Sequence, residues 1–472
     1  MRHNIGVLRR QLLLAGLALP ARSEPLPRDT GYRGIWYFNQ PSGDQYVYKY
    51  SGGFATYPQQ HAPIAIYSPA ARKTFFVYGG SANNLAAKPQ LLHMVSYYDH
   101  ATGTVPRPVI LLNKETEDAH DNPVLSIDDD GYLWIFSPAH GTSRPSFLHR
   151  GRRPYSIDDF ELITKTNWSY PQPWYVPGRG FFFLHTRYQP IPGKNTSGRA
   201  LHWMTSRDGR KWSDPNLLAF AQLGHYQVSW PHRNKIATAF DLHPSPVGLN
   251  ARTNIYYLET SDMGQTWNTV EGTPVRPPIR WDEHPSLVRD FRKDGLLVYL
   301  KDIQFDPEGR PIIAFLASRG YQSGPASGSR TLWTARWDGE TWLYSRITTT
   351  DHNYDHGSLY ILSGQRYRYL APTGPGPQPH SAGGEVETWE TYSGGAEWQL
   401  TIQHTRNSRY NHTYVRRPLN YHPDFCSLWA DGNPLSPSPS RIYFSNTRGE
   451  VYLLPDTMTT DQAKPILIKP QP

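Results

Sequence analysis

Short apolar runs separated by turn-forming residues recur along almost the whole chain. Examples are residues 74–78, 132–136, 181–184, 254–258 and 312–315. These runs show no sustained period of about 3.6 residues and are rich in β-branched and aromatic side chains. The chain also contains 38 glycines and 43 prolines, which favours many turns over long helices. The pattern predicts an all-β fold.

Three hairpin motifs repeat within this pattern. Residues 260–267 (TSDMGQTW) match the Asp-box pattern, residues 206–212 (SRDGRKW) are a shortened form, and residues 337–342 (WDGETW) are a third relative. The aspartate of such a box accepts hydrogen bonds from turn amides, the glycine adopts an unusual backbone angle, and the tryptophan packs between strands. We therefore interpret Asp208, Asp262 and Asp338 as structural.

The spacing of these boxes, about 55 to 75 residues, is typical of four-stranded propeller blades. Six or seven blades fit the length, and we favour seven. We therefore predict that residues 25–472 form a single β-propeller domain with Asp-box (BNR) hairpins.

The first 24 residues have the pattern of a signal peptide. Arg9 and Arg10 precede an apolar stretch that is too short to span a membrane, and the mature chain is expected to begin between Arg22 and Pro25. A twin-arginine signal and an ordinary signal peptide both fit. No later apolar run reaches spanning length, so we expect a secreted or periplasmic protein without a membrane span.

The composition and the net charge indicate which class of molecule the protein binds. The formal net charge is +8 and the sequence pI is about 9.2, which favours an acidic partner. No nucleic-acid-binding module is recognisable, so an acidic polysaccharide is favoured over nucleic acid. The single cysteine, Cys426, excludes an internal disulfide. We expect a monomer.

Several short motifs resemble the BNR-repeat-containing family, which includes the seven-bladed ulvan lyases. Besides the Asp boxes, they are HDNP at 120–123, SYP at 169–171, TRY at 186–188, GHYQ at 224–227 and NYDHGS at 353–358. The resemblance implies cleavage of a sulfated algal polysaccharide at the bond preceding a uronic acid, by β-elimination and without water.

The same resemblance implies a set of site residues. Catalytic roles are implied for His120, His140, Tyr170 and Arg187. Substrate-binding roles are assigned to Tyr188, His225, Tyr226 and Arg252. Tyr188 remains an alternative to Tyr170, because the segment between His140 and Tyr170 cannot be aligned.

These residue types suit β-elimination beside a uronate. A fixed arginine neutralises the carboxylate, for which Arg187 is the candidate, assisted by His140. Tyr170 and His120 form the base and acid pair, in an order that the sequence leaves open. Arg187→Ala and His120→Ala are predicted to abolish activity while the fold is retained.

This chemistry requires no cofactor. His243 and His356, with Cys426, are residue types that zinc accepts, so a structural zinc or calcium ion is a further hypothesis.

Two other functions are also compatible with the sequence. A sialidase-like glycoside hydrolase would share the propeller, but its Phe/Tyr-Arg-Ile-Pro motif is replaced here by Tyr32-Arg-Gly-Ile-Trp. A non-catalytic carbohydrate-binding propeller would use the abundant tryptophan and tyrosine for sugar stacking.

Overall fold

The computed structural model of the protein describes residues 25–54, 60–81, 89–191, 193 and 195–468. The predicted signal segment, residues 1–24, lies outside these residues. Across the described part the chain forms 35 strands and no α-helix. Short 3-10 helices lie at Ala119–Asp121, Gly248–Ala251, Phe291–Asp294 and Pro325–Ser327.

Seven antiparallel sheets form the blades of a β-propeller, as predicted. Blade 1 contains β3 (Ala65–Ser68), β4 (Lys73–Gly80), β5 (Leu92–Asp99) and β7 (Val109–Asn113). Blade 2 contains β8 (Val124–Ile127), β9 (Leu133–Ser137), β10 (Ser146–Gly151) and β11 (Phe160–Thr166). Blade 3 contains β12 (Ser169–Val176), β13 (Gly180–Pro190), β14 (Ser197–Ser206) and β15 (Asn216–Ala219).

Blades 4 to 7 follow in the same order. Blade 4 contains β16 (Gln227–His232), β17 (Lys235–Leu242), β18 (Thr253–Thr260), β19 (Trp267–Asn268), β20 (Pro274–Val275) and β21 (Leu287–Arg289). Blade 5 contains β22 (Leu297–Phe305), β23 (Pro311–Ser318), β24 (Arg330–Trp337) and β25 (Trp342–Thr350). Blade 6 contains β26 (Ser358–Ile361), β27 (Tyr367–Gly374), β28 (Glu385–Thr391) and β29 (Gln399–Gln403). Blade 7 contains β30 (Asn411–Arg416), β31 (Ser427–Gly432), β32 (Ile442–Ser445), β33 (Val451–Leu453) and β35 (Ile466–Ile468).

Two strand pairs lie outside the blades. A hairpin is formed by β1 (Tyr37–Pro41) and β2 (Tyr48–Gly52), and we call it the N-terminal hairpin. The second pair joins β6 (Val105–Pro106) to β34 (Gln462–Ala463), which links blade 1 to the C-terminal segment. No helix in the described part of the chain has the length and apolar character needed to cross a membrane.

The Asp boxes form the turns that the sequence predicts. Asp262 accepts hydrogen bonds from the backbone N–H and the hydroxyl of Thr266, and Gly264 has a φ of +84°. Trp267 is 1% exposed and packs against Trp203 of blade 3, with ring centroids 5.4 Å apart. The box therefore closes a hairpin and places an aromatic side chain between two blades, a contact worth about 0.5–1.5 kcal/mol beyond its buried area.

The two ends of the propeller carry different features. Because the strands of a blade alternate in direction, the Asp-box turn between β14 and β15 lies at one end, which we call the lower face. The opposite end, where β12 and β14 begin and β13 ends, is the upper face. Tyr170, Tyr188 and Arg199 all lie at this upper face.

Candidate active site

Two histidines share one carboxylate at the upper face. The Nδ1 atom of His120 lies 2.5 Å from Asp118 Oδ1, and the Nδ1 atom of His140 lies 2.8 Å from Asp118 Oδ2. The two imidazole rings stack with centroids 4.1 Å apart and planes inclined by 20°. A carboxylate between two Nδ1 atoms favours a proton on each of them, which leaves each Nε2 with the lone pair that accepts a proton.

Local sequence explains why Asp118 takes this position. It is the N-cap of the short helix Ala119–Asp121, and its side chain also accepts a hydrogen bond from the backbone N–H of His120. Arg144 donates to Asp118 Oδ2 at 2.9 Å and to Asp121, which fixes the carboxylate from its other side. Sequence reasoning missed Asp118, although its position two residues before His120 is typical of a capping aspartate.

Three tyrosines meet beside the histidines. The Tyr170 hydroxyl lies 3.4 Å from the hydroxyls of both Tyr188 and Tyr226. The Tyr170 ring is 6.1 Å from the ring of His140, and the Tyr188 ring is 5.8 Å from it. Tyr170 has a φ of +51° at an irregularity in the β12–β13 ladder, an unusual conformation for a bulky residue. Such strain is typical of a side chain aimed at a functional site.

Two arginines contact the tyrosine cluster. The Arg199 guanidinium lies 5.2 Å from the ring centroids of both Tyr188 and Tyr226. The Arg252 guanidinium lies 5.3 Å from the Tyr226 ring and donates to the Tyr354 hydroxyl at 2.9 Å. Arg252 is only 2% exposed, so it lies behind the tyrosines, whereas Arg199 is partly exposed.

A buried lysine lies close to these arginines. Lys49, on the N-terminal hairpin, is buried and donates to the side-chain oxygen of Asn250. Burial, followed by the charges of Arg252 and Arg199, lowers the pKa of Lys49 to about 6. At neutral pH the Lys49 amine is therefore mostly uncharged, and Arg199 and Arg252 supply the positive charge beside the tyrosines that attracts an anionic ligand.

The N-terminal hairpin also covers the histidine pair. The Tyr37 hydroxyl lies 3.0 Å from His120 Nδ1, and Asn39 donates to the hydroxyls of Tyr37 and Tyr50. A cavity of about 460 Å³ lies between this hairpin and His140, and Asp118 and Tyr37 are among the other residues that line it. Its size suits a short saccharide segment.

Arg187 does not lie in the cluster, and this corrects its predicted position. In the β13–β14 ladder Tyr188 pairs with Arg199, and Arg187 pairs with Ala200. Successive side chains of a strand point to opposite faces, so Arg187 projects away from Tyr188. It lies near His185 and His202 instead. Burial is the main cause of the lowered pKa of both imidazoles, and the charge of Arg187 lowers it further.

His225 is also corrected as a substrate-binding residue. Its Nδ1 donates to the carbonyl of Asp241 at 2.6 Å, and its Nε2 accepts the backbone N–H of Ala221 at 3.0 Å. Because both ring nitrogens bond to the backbone, His225 supports the strand segment that carries Tyr226. The structure brings together the other predicted residues: His120, His140, Tyr170, Tyr188, Tyr226 and Arg252.

His243 and His356 do not share a group of metal ligands. His243 Nε2 lies 3.3 Å from Asp241 Oδ1, and His356 Nδ1 accepts from the Lys301 ammonium at 3.0 Å. Among the described residues, two groups of three side chains place possible ligand atoms within 4.8 Å of one another: Asp118 with His120 and His140, and His100 with His422 and Asp424. Asp118 and His140 of the first group line the cavity, and His120 is buried behind them.

The electrostatics of the site separate the histidines from the phenols. Burial, followed by the neighbouring His140, lowers the pKa of His120 to about 4, against the opposing effect of Asp118. Burial and the adjacent phenols Tyr188 and Tyr226 raise the pKa of Tyr170 well above its ordinary value. At neutral pH the site therefore offers a neutral imidazole that accepts a proton and a protonated phenol that donates one.

Comparisons with known proteins agree with this architecture. Residues 95–350 match the sequence model described as BNR repeat-containing family member. An ulvan lyase of Nonlabens ulvanivorans is 25% identical over 353 residues, which cover 66% of this chain and 70% of that protein. An ulvan lyase of an Alteromonas species is 24% identical over 293 residues, which cover 54% of this chain and 58% of that protein.

Solved structures give the same fold. A polysaccharide lyase described as an ulvan lyase bound to -[GlcA(1-4)Rha3S]- superposes with a TM-score of 0.69 and 16% sequence identity. The superposition covers 89% of this chain and 96% of that structure. The similarity extends over nearly the whole propeller.

Proposed function

Because this chain belongs to the BNR repeat-containing family, we propose that it is a polysaccharide lyase that cleaves a uronate-containing, sulfated polymer of the ulvan type by β-elimination. The observation that carries the proposal is the cluster at the upper face, where two imidazoles on one carboxylate adjoin three phenols and a partly exposed guanidinium. Relatives described as ulvan lyases support the choice of substrate class.

Arg199 is the group that we propose for neutralising the uronate carboxylate. A guanidinium stays charged and binds a carboxylate through two parallel hydrogen bonds. Neutralisation lets the negative charge that develops at the carbon next to the carboxylate spread into it. Arg199 replaces Arg187 in this role because it lies over the rings of Tyr188 and Tyr226.

His120 is the proposed base and Tyr170 the proposed acid. The base removes the proton from the carbon beside the carboxylate, and the electron pair forms a carbon–carbon double bond as the glycosidic carbon–oxygen bond breaks. The departing oxygen takes a proton from the phenol, so no water is consumed. The lowered pKa of His120 and the raised pKa of Tyr170 favour this order over the reverse.

Asp118, His140 and Tyr226 have supporting roles in this scheme. Asp118 fixes the tautomer of both imidazoles. His140 is more exposed than His120 and lines the cavity, where it assists Arg199 at the carboxylate. Tyr226 lies between Arg199 and Arg252 and positions the sugar ring. The enzyme is proposed to act as a monomer outside the cytoplasm, where such a polymer is met.

The test is an assay on a panel of acidic polysaccharides, with ulvan first. Ultraviolet absorbance follows unsaturated uronyl ends, and a reducing-end assay runs in parallel on the same samples. A lyase raises both signals together. Reducing ends without absorbance would identify a hydrolase, and retention on the polymer without either signal would identify a binding propeller. Either result overturns the proposal.

A pair of variants tests whether the activity depends on the cluster. His120→Ala is expected to lose the absorbance signal, whereas His380→Ala, a change at a partly exposed histidine next to Tyr46 of the N-terminal hairpin, retains it. Circular dichroism checks that both variants are folded.

A further inference from the structure

A second group of metal-ligand side chains lies at the lower face, far from the candidate active site along the strand direction. His100 follows β5 of blade 1, and His422 and Asp424 lie between β30 and β31 of blade 7. Possible ligand atoms of the three residues lie within 4.8 Å of one another. The group therefore joins the first and the last blade of the ring.

The two imidazoles are held close together without stacking in parallel. Their centroids are 4.0 Å apart and their planes are inclined by 48°. The ring of Tyr67 packs against both, at 5.1 Å from His100 and 4.9 Å from His422. Protonation of both imidazoles at this distance is disfavoured because the two positive charges would repel. The neutral pair can therefore bind a cation.

The hydrogen bonds of His100 leave one nitrogen suited to a metal. His100 Nε2 lies 2.8 Å from the Thr74 hydroxyl. His100 Nδ1 is buried and has no hydrogen-bond partner among the residues that the structure describes. A buried nitrogen without a partner is costly, and a bound metal ion removes that cost.

Asp424 supplies the oxygen of the group. Its Oδ2 lies 3.7 Å from His422 Nδ1, and its Oδ1 lies 3.6 Å from the guanidinium of Arg448. The backbone N–H of Asp424 donates to His422 Nδ1, which fixes the ring relative to the carboxylate. Arg448 is mostly exposed, so it competes only weakly with a divalent ion for this carboxylate.

From this geometry we propose that His100, His422 and Asp424 bind a zinc ion that joins blade 1 to blade 7. Two imidazole nitrogens and one carboxylate oxygen are ligands that zinc accepts, whereas calcium prefers oxygen ligands alone. Ligand atoms around a tetrahedral zinc ion are about 3.4 Å apart, so side-chain rotations of about an ångström complete the site. Partial exposure of all three residues leaves the fourth position to water.

The ion would lie at the junction between the first and the last blade, and this position gives it a structural role. Every blade is built from one contiguous stretch of chain, so blades 1 and 7 share no strand. Near the group, the backbone connection between them is short: the N–H of Tyr67 donates to the carbonyl of Leu419, and the N–H of Leu419 donates to the carbonyl of Ala65. A metal ion with ligands from both blades would stabilise this junction.

The test measures zinc binding by the chelator-stripped full-length protein. Isothermal titration with zinc chloride gives the stoichiometry, and differential scanning calorimetry gives Tm with and without zinc. His422→Ala and His100→Ala are each expected to lose one bound zinc per chain and the accompanying rise in Tm of about 3 °C or more. His380→Ala is the control and retains both.

Zinc binding at Asp118, His120 and His140 must be distinguished from zinc binding at His422. If it also binds zinc, His140→Ala loses a separate equivalent and keeps the rise in Tm that depends on His422. Should an alanine variant fail to fold, His422→Gln and the visible spectrum of cobalt-substituted wild-type protein take its place, since tetrahedral cobalt absorbs strongly. Absence of zinc binding by the wild type, or equal stoichiometry and Tm in His422→Ala, overturns the proposal.

Discussion

The imidazole rings of His120 and His140 stack face to face 4.1 Å apart, with their Nδ1 atoms directed at the two oxygens of one carboxylate. Two charged imidazoles would repel each other at this distance, so the arrangement favours neutral rings beside an ionised Asp118. Burial acts to raise the pKa of Asp118, but the hydrogen bonds and charges of the two histidines outweigh it and hold that pKa well below its ordinary value.

Asp118→Asn tests whether this carboxylate sets the tautomers. An amide presents one acceptor and one donor, so it can satisfy one Nδ1–H and must oppose the other. We expect kcat to fall by about 100-fold or more with little change in KM, and the pH profile to shift. Steady-state kinetics across pH measures this. Asp208→Asn, a change in an Asp box on the lower face, is the control; an unchanged profile in Asp118→Asn would contradict the role.

Arg199 and Arg187 form a matched pair on opposite faces of one hairpin. Arg199→Ala is expected to lower kcat/KM by about 1,000-fold, because the uronate carboxylate loses its counter-charge. Arg187→Ala is expected to stay within about threefold of the wild type, since it lies beside His185 and His202. Absorbance kinetics on ulvan compares the two. The reverse ranking would restore the position that sequence reasoning gave to Arg187.

The roles of Tyr170 and Tyr188 are distinguished by removing one hydroxyl at a time. Tyr170→Phe is expected to lower kcat by about 100-fold, because the proton donor is lost. Tyr188→Phe is expected mainly to raise KM, because Tyr188 is the partly exposed ring that contacts the sugar. If Tyr188→Phe instead abolishes kcat while Tyr170→Phe does not, Tyr188 is the acid.

The pH dependence of activity follows from the lowered pKa of His120. A base with a pKa of about 4 stays neutral well below pH 6.5, so kcat/KM is expected to hold through pH 6 and to fall only near pH 4 to 5. An acid limb centred at pH 6.5 would show a base of ordinary pKa. Short assays after a pH jump limit the contribution of unfolding.

Stability is expected to decrease over the same acid range. Burial, as the main cause, lowers the pKa of His149, His202, His243 and His404 to about 4. Between pH 6.5 and 4 the unfolded chain then binds more protons than the folded chain, so the free energy of unfolding falls as pH falls. Calorimetry should show Tm dropping by about 5–10 °C across this window. A constant Tm would contradict it.

The sequence by itself determined the repeating parts of this protein. Alternating apolar runs and the Asp boxes at Asp208, Asp262 and Asp338 are local signals, because a strand and its turn are specified by neighbouring residues. They sufficed for the all-β class, the propeller and the structural role of the boxes. The family resemblance predicted that His120, His140, Tyr170 and Tyr226 share one site, and the structure places these residues in or beside elements that meet at the upper face.

Only the tertiary structure decided which side chains face that site. Arg187 and Tyr188 are adjacent in sequence, yet the pleat and the register with β14 send them to opposite faces and bring in Arg199. The N-terminal hairpin places Tyr37 against His120 across 83 positions, and the ring closure places His100 beside His422. Such contacts depend on the packing of distant segments, which a local pattern of residues does not encode.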